Sequence, residues 1–455
     1  MVLAPVLHSS NAFMLLLVLI HKPTRLNQNE LLLAPVQALY YRIFNPQRHQ
    51  EFVMSAIRIA SRITRIKTSP SSTAADRANA LRRAGKSIVN LVTGEPDFDT
   101  PEVIRQAACA AIERGETRYT QNNGTPALRQ AIADKFQREN RLSFSPDNII
   151  VTCGAKSAIF NALTATLEPG DKVLIPAPYW VSYPDMVLAC EGEPVILACQ
   201  EENGFKLTAE QLQAAITPEC RWLLLNSPSN PSGASYTESE LRALADVLLE
   251  HPGLAIMTDD IYEHIRFDDS QPCHLLAVEP ALADRTLVVN GVSKTYAMTG
   301  WRIGYAAGPA ALITAMGTLQ SQSTSNACSV SQAAALAALG SGTDFIDRSR
   351  ETYRLRRDRM VEAINNIPGL ACKKPDGAFY LYVNCAGILG RQTPQGNTLQ
   401  NDNDVVLYLL ESEGVAVVPG AAYGISPFFR LSIATDIDTL LEGANRMARA
   451  VAQLR

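Results

Sequence analysis

The 455-residue chain is 47% hydrophobic and 19% charged, an ordinary soluble composition with length enough for two domains and a large core. Its formal net charge of −4 and pI near 6.0 argue against nucleic acid or an anionic membrane as partner. Nine scattered cysteines, none in a Cys-x-x-Cys pair, speak against a disulfide framework or zinc site and for a reducing, cytoplasmic setting.

Residues 12–20 (AFMLLLVLI) form an apolar run shorter than the roughly 20 residues that span a bilayer. No Lys or Arg precedes it and no clean cleavage site follows, so it is a poor signal peptide. Globular patterning begins near Met54, and residues 1–53 are expected to be a poorly ordered extension. The stretch Ala84-Gly85-Lys86-Ser87 imitates the end of a P-loop, but Ala80 stands where the first glycine is needed and no strand precedes it. There is no Gly-x-Gly-x-x-Gly. Thr100 is placed to cap a helix opened by Pro101, with Val103, Ala107, Ala111 and Ile104, Ala108, Ile112 as its apolar stripe, ending at Gly115. Short β-branched runs then alternate with helical stretches, at 149–152, 172–175, 194–197, 222–225, 254–257 and 286–289. They read as strands buried on both faces of a mostly parallel α/β sheet. After about residue 345 a charged helix (348–366) and short strands indicate a second, smaller domain, which 54–99 is expected to join.

The segment Ser293-Lys294-Thr295-Tyr296-Ala297-Met298-Thr299-Gly300-Trp301-Arg302 puts a lysine just beyond a buried strand. Desolvation and nearby positive charge would leave its amine neutral and able to attack an aldehyde, whereas a lone lysine more often snorkels to the surface. Arg302 supplies a fixed cation for a phosphate. Asp259, Asp260 and Tyr262 fall at the end of another strand, where open sheets bind ligands; a carboxylate there can keep a heterocyclic nitrogen protonated, or merely belong to a solvated loop. Asn230, in NSPSNPSG, is a turn residue or a donor to a ring oxygen. Gly154, Ala155 and Lys156 open a helix whose amides suit a phosphate. Trp180 follows a strand as core residue or stacking partner. Arg430, between apolar neighbours, needs a carboxylate, from an internal ion pair or from a substrate. The Gly94-Glu95-Pro96 loop can present backbone amides to the same group.

In this order, GEPDFDTP, GETRYT, PAPYWVSYP, NSPSNPSG, TDDIYEH, SKTYAMTGWRIGYAAGP, DGAFY and FFRLSIAT resemble the class I aminotransferases of pyridoxal-phosphate fold type I, closest to the bacterial aspartate and aspartate/prephenate branch. The resemblance runs from about Met54 to the C-terminus. It implies an α/β fold with a seven-stranded, mostly parallel sheet in a large domain (100–345) and a smaller α+β domain (54–99 with 346–455), acting as a homodimer on amino acids and 2-oxo acids. It implies that Lys294 carries pyridoxal 5'-phosphate as a Schiff base and moves the substrate Cα proton. Asp259 would pair with the pyridine nitrogen, Asn230 and Tyr262 with the ring oxygen, and Trp180 would stack on the ring. Gly154, Ala155, Lys156, Ser293 and Arg302 would surround the phosphate, with Tyr119 reaching the neighbouring subunit's. Arg430 and the Gly94 backbone would grip the α-carboxylate. Lys156 would hold a distal carboxylate and Lys67 would favour prephenate. Gly291 stands where many relatives have a phosphate-binding serine, and Ser71 where many have threonine. A β-lyase or a pyridoxal-phosphate-binding regulator is the alternative on the same scaffold.

Overall fold

Alternation along the central strands explains the architecture. In β5 (Cys220–Asn226), Leu223 and Leu225 pack into one apolar cluster while Trp222 and Leu224 pack into another. In β7 (Thr286–Gly291), Val288 and Leu287 divide the same way. A strand with apolar residues on both faces needs cover on both, and each such side chain contributes about 1.5–3 kcal/mol when fully buried. The computed structural model describes residues 57–68, 70–268 and 273–455, apart from the Ser71 side chain. The expected extension 1–53 and its apolar run lie outside the described residues. The chain divides into units 1–60 and 61–455, and the sheets and the cavity all belong to the second.

β1 (Val89–Asn90) precedes the main sheet, which contains β2 (Ile149–Thr152), β3 (Lys172–Ala177), β4 (Glu193–Ala198), β5, β6 (Ala255–Asp259), β7 and β8 (Gly304–Ala307). Its order is β2-β8-β7-β6-β5-β3-β4. All neighbours are parallel except β8, which runs antiparallel to both β2 and β7. Six of the seven strands coincide with runs expected from the sequence. β8, Gly-Tyr-Ala-Ala, was not among them, because small residues carry no β-branched signal. Nor is every strand buried on both faces: β4 lies at the edge and has only exposed and half-buried positions.

A second sheet joins β9 (Ala371–Cys372), β10 (Tyr380–Asn384), β12 (Val418–Pro419) and β13 (Phe428–Ser432) in the order β12-β13-β10-β9. β1 pairs in parallel with β11 (Val415–Ala416), bringing an N-terminal segment to the C-terminal strands. The charged helix runs Asp344–Asn365.

The helix after Thr100 spans Glu102–Glu113 with Pro101 at its cap position and no side-chain cap. The expected capping role of Thr100 is not realised. Its hydroxyl instead donates to Ala297 O at 2.6 Å and accepts from Trp301 Nε1 at 3.0 Å. The buried stripe is Ile104, Ala108 and Ala111, a spacing of four and three, while Val103 and Ile112 are exposed. Among the described residues no helix is long and apolar enough to cross a membrane, and all nine cysteines are free.

Candidate active site

The carboxyl ends of the parallel strands open on a cavity of about 560 Å³. Register pairs Asn226 with Asp259 and Asp259 with Val289, so the chain leaves these strands at one level, where open α/β sheets take ligands. Asp259 ends β6 and is 7% exposed. Its Oδ2 accepts a 2.6 Å hydrogen bond from the Tyr183 hydroxyl, and Asn226 Nδ2 donates to its carbonyl at 2.7 Å. Burial pushes the carboxyl up to about 6, against the Tyr183 hydrogen bond and with help from Asp260. Such a group gains from a buried cationic N–H beside it.

Lys294 stands three residues past β7 and its Nζ donates to Gly94 O at 2.7 Å. Removal from water lowers the amine to about 8; Glu95 opposes this, while Arg302 and Arg430 add to it. A substantial neutral fraction is therefore present in weakly alkaline solution, as an amine nucleophile or base requires.

Arg430 sits mid-strand in β13, 3% exposed. Nη1 donates to Asn230 Oδ1 at 3.1 Å and Nη2 to Val92 O at 2.6 Å, and the guanidinium lies 4.3 Å from the Tyr380 ring centroid. Nε has no hydrogen-bond partner. The internal ion pair left open by the sequence is absent among the described residues, since both acceptors are neutral. A buried charge with only neutral acceptors favours an incoming carboxylate. Asn230 is itself held by Asn226, whose Oδ1 accepts from its N–H at 2.8 Å.

Two residues past β2, Gly154 adopts φ 86° and ψ 158°, a region essentially confined to glycine. A Cβ there would run into the Arg302 guanidinium. The helix Ala155–Thr166 begins with no side-chain cap, which leaves its first amides and the positive end of its dipole suited to an anion. Arg302 is anchored through Nη1 to Thr299 O at 2.9 Å. Lys156 Nζ donates to Ser182 Oγ at 3.2 Å and lies 4.7 Å from the Trp180 ring centroid; burial, then Arg302, lowers its pKa. The Tyr262 and Tyr380 hydroxyls are 3.0 Å apart.

Gly94, Ala155, Lys156, Trp180, Asn230, Asp259, Tyr262, Ser293, Lys294, Arg302 and Arg430 all line this cavity, with Gly154 directly before Ala155. Tyr119 and Lys67 do not. Tyr119 is 90% exposed, and Lys67 is exposed with its N–H donating to Asp185 Oδ1 at 3.0 Å. Gly291 ends β7 opposite Gly304. A Cβ there would lie 3.1 Å from Gly304 Cα, Ile261 Cδ1 and Ile303 O, so a serine would have to displace neighbours. Sequence reasoning missed Tyr183, Asn226 and Tyr380. Their motifs were noticed, but only the folded contacts single out these members.

The chain belongs to the class I and II aminotransferases, a pyridoxal-phosphate-dependent family whose pattern matches residues 86–447. It is 54% identical over 395 residues to an aspartate aminotransferase of Rhizobium meliloti (strain 1021), covering 87% of this chain and 96% of that one. It is 51% identical to an aspartate/prephenate aminotransferase of Cereibacter sphaeroides, over 86% and 97% of the two chains. The fold superposes on a crystal structure of the Rhizobium meliloti aspartate aminotransferase with a TM-score of 0.86 at 53% identity, covering 88% of this chain and all of that one. A Thermus thermophilus aspartate aminotransferase with maleate gives a TM-score of 0.81 at 40% identity, over 87% and 100%.

The cavity suits that cofactor. A phosphate needs donors, which the uncapped helix start, Ser293 and Arg302 offer, and the side chain missing at Gly154 leaves Arg302 its place. A pyridine nitrogen needs an acid partner, which Asp259 offers. The aldehyde needs an amine, and Lys294 lines the same cavity.

Proposed function

We propose that this protein is an aspartate aminotransferase, moving the amino group of aspartate to 2-oxoglutarate in two half-reactions, with prephenate as a further acceptor. The observation that carries the dicarboxylate reading is the pair of cations in one cavity, Arg430 without an acidic partner and Lys156 beside Trp180. The relatives named for aspartate and the homologue with maleate support it, and the Cereibacter sphaeroides relative supports prephenate.

Pyridoxal phosphate, when bound, supplies an electron-withdrawing ring that accepts the electron pair left at the substrate Cα. Arg430 grips the α-carboxylate with two parallel N–H donors, helped by the Gly94 backbone, and Lys156 takes the distal carboxylate. Lys294 Nζ takes the proton from the substrate Cα and holds it as an ammonium, free to be delivered elsewhere than to that carbon. Asp259 would keep a proton on the ring nitrogen, Asn230 and Tyr262 would serve the ring oxygen, and Trp180 would pack against the ring. Ser293, Arg302 and the amides of Ala155 and Lys156 would hold the phosphate.

The same reading makes 100–345 the large domain and 54–99 with 346–455 the smaller one, supported by the β1–β11 pairing. It makes the active form a homodimer in which the exposed Tyr119 meets the neighbour's phosphate. Free thiols throughout fit the cytoplasm. A steady-state panel of aspartate, glutamate, prephenate and aromatic oxo acids tests the proposal: aspartate with 2-oxoglutarate should lead, and release of pyruvate and ammonia from an added S-substituted cysteine, without amino transfer from aspartate, would replace it with a lyase.

A further inference from the structure

Behind the cavity wall lies a buried polar cluster that none of these steps uses. Lys135 is 1% exposed and Glu263 5%. Lys135 Nζ donates to Glu263 Oε1 and to Asn140 Oδ1 at 2.7 Å. Asn140 Nδ2 donates to Glu263 Oε2 and Asn290 Nδ2 to Glu263 Oε1, each at 2.6 Å. The helix Pro126–Lys135 runs into a π turn, Phe136–Asn140, which brings side chains five residues apart together and is a deviation enriched at functional sites.

The cluster joins three segments: the π turn, the loop that carries Tyr262, and the end of β7 that leads to Lys294. A second link runs beside it. His264 Nε2 is 2.9 Å from Glu139 Oε2 and Nδ1 is 3.1 Å from Thr295 Oγ1. With Nε2–H donating to the carboxylate, a neutral ring accepts the Thr295 hydroxyl at Nδ1. Thr295, 3% exposed, is the residue after Lys294. Glu139, Glu263 and His264 bring ligand atoms within 4.8 Å of one another, but the Lys135 ammonium already supplies the cation to Glu263. The arrangement is an ionic lock.

We infer that Glu263, held by Lys135, Asn140 and Asn290, is a positioning residue that fixes Tyr262 and Lys294 in one geometry, with the His264–Thr295 hydrogen bond as its arm to the lysine. The inference rests on the proposed role of Lys294 as the reacting amine. Glu263 touches neither substrate nor cofactor in this scheme; it acts by denying the two turns independent movement.

The test compares Thr295→Val, Thr295→Ser and Glu263→Gln with the parent. The first readout needs no cofactor: competitive acetylation of Lys294 in the apoprotein against pH, followed by peptide mass spectrometry. The charged groups acting on Lys294 are Glu95, Arg302, Arg430 and Asp259, and Thr295→Val alters none of them, so a shift reports displacement of the amine. The midpoint should rise by about half a pH unit in Thr295→Val as water reaches the amine, and return to the parental value in Thr295→Ser. Glu263→Gln alters a charge as well, so it is read through kcat, which should fall at least as far as in Thr295→Val with KM little changed. In reconstituted enzyme kcat should fall about tenfold in Thr295→Val with KM within about twofold. Melting curves identify variants that remain folded, and Thr295→Val decides if Glu263→Gln does not fold. A parental midpoint in folded Thr295→Val, or equal shifts in the serine and valine variants, would overturn the inference. Because the acetylation arm uses apoprotein, its failure is distinguishable from failure of the transaminase reading.

Discussion

The Tyr183 hydroxyl donates a 2.6 Å hydrogen bond to Asp259 Oδ2, with both residues buried. Tyr183 opens the helix Tyr183–Ala189, just past Trp180, so one short segment places an indole beside the cavity and a hydroxyl on the buried carboxylate. That hydrogen bond favours the ionised form of Asp259, opposing its burial. Tyr183→Phe should raise the Asp259 pKa above its present value, weaken cofactor binding severalfold and move the acidic limb of the kcat/KM profile upward. Fluorescence titration of apoprotein with pyridoxal phosphate and a pH–rate profile check this.

Burial of Asp259 also costs stability. Its folded pKa of about 6 lies above the ordinary value of 3.8. The folded state therefore holds the proton more tightly. At pH below 3.8 both states are protonated and there is no penalty; as pH rises through about 6 the penalty reaches its full value, roughly 3 kcal/mol. Asp259→Asn apoprotein should accordingly be more stable than the parent at about pH 7–8, with the difference shrinking toward about pH 4. Urea unfolding at several pH values measures it. Activity should fall by orders of magnitude in the same variant, because the ring nitrogen loses its acid partner.

Arg430→Lys keeps the charge and loses the fork. Asn230 Oδ1 and Val92 O lose donors, and under the proposed role the α-carboxylate loses its two-pronged partner. The expected cost is on the order of 2–5 kcal/mol in substrate binding, read as a raised KM for aspartate and for 2-oxoglutarate alike. An unchanged KM removes Arg430 from the substrate site.

Lys156→Met tests the distal carboxylate separately. Aspartate kcat/KM should drop about tenfold or more, equivalent to about 1.4 kcal/mol, while alanine and phenylalanine keep their low parental rates. Equal losses for all three substrates would assign Lys156 to the cofactor end alone.

Gly154→Ala probes the phosphate end. The backbone there is confined to glycine, and the added methyl meets Arg302. The backbone strain costs about 1–3 kcal/mol, and displacement of the guanidinium should weaken cofactor binding beyond that loss. Thermal melts of apoprotein and cofactor titration separate the two effects.

The main sheet was legible because strands buried on both faces, such as β5 and β7, write themselves as continuous apolar runs. β8 was not, since Gly304 packs against the backbone of Gly154 and Ala155 and small residues there serve close approach. Thr100 looked like a cap because residue type alone cannot show that its hydroxyl is committed to Ala297 and Trp301. Within the site, the placement of Lys294, Asp259 and Arg430 in one cavity was readable, because charges are costly to bury without purpose. Tyr183, Asn226 and Tyr380 were not, because a tyrosine or asparagine near a sheet edge has many uses and only the folded contacts choose one.

Borohydride reduction of the reconstituted protein, followed by peptide mapping, asks whether the Lys294 amine is the one that condenses with the cofactor aldehyde. One phosphopyridoxyl group per chain is expected, on Lys294, with loss of activity in step with labelling. Labelling of another lysine, or none in protein that transaminates at full rate, would contradict the assignment.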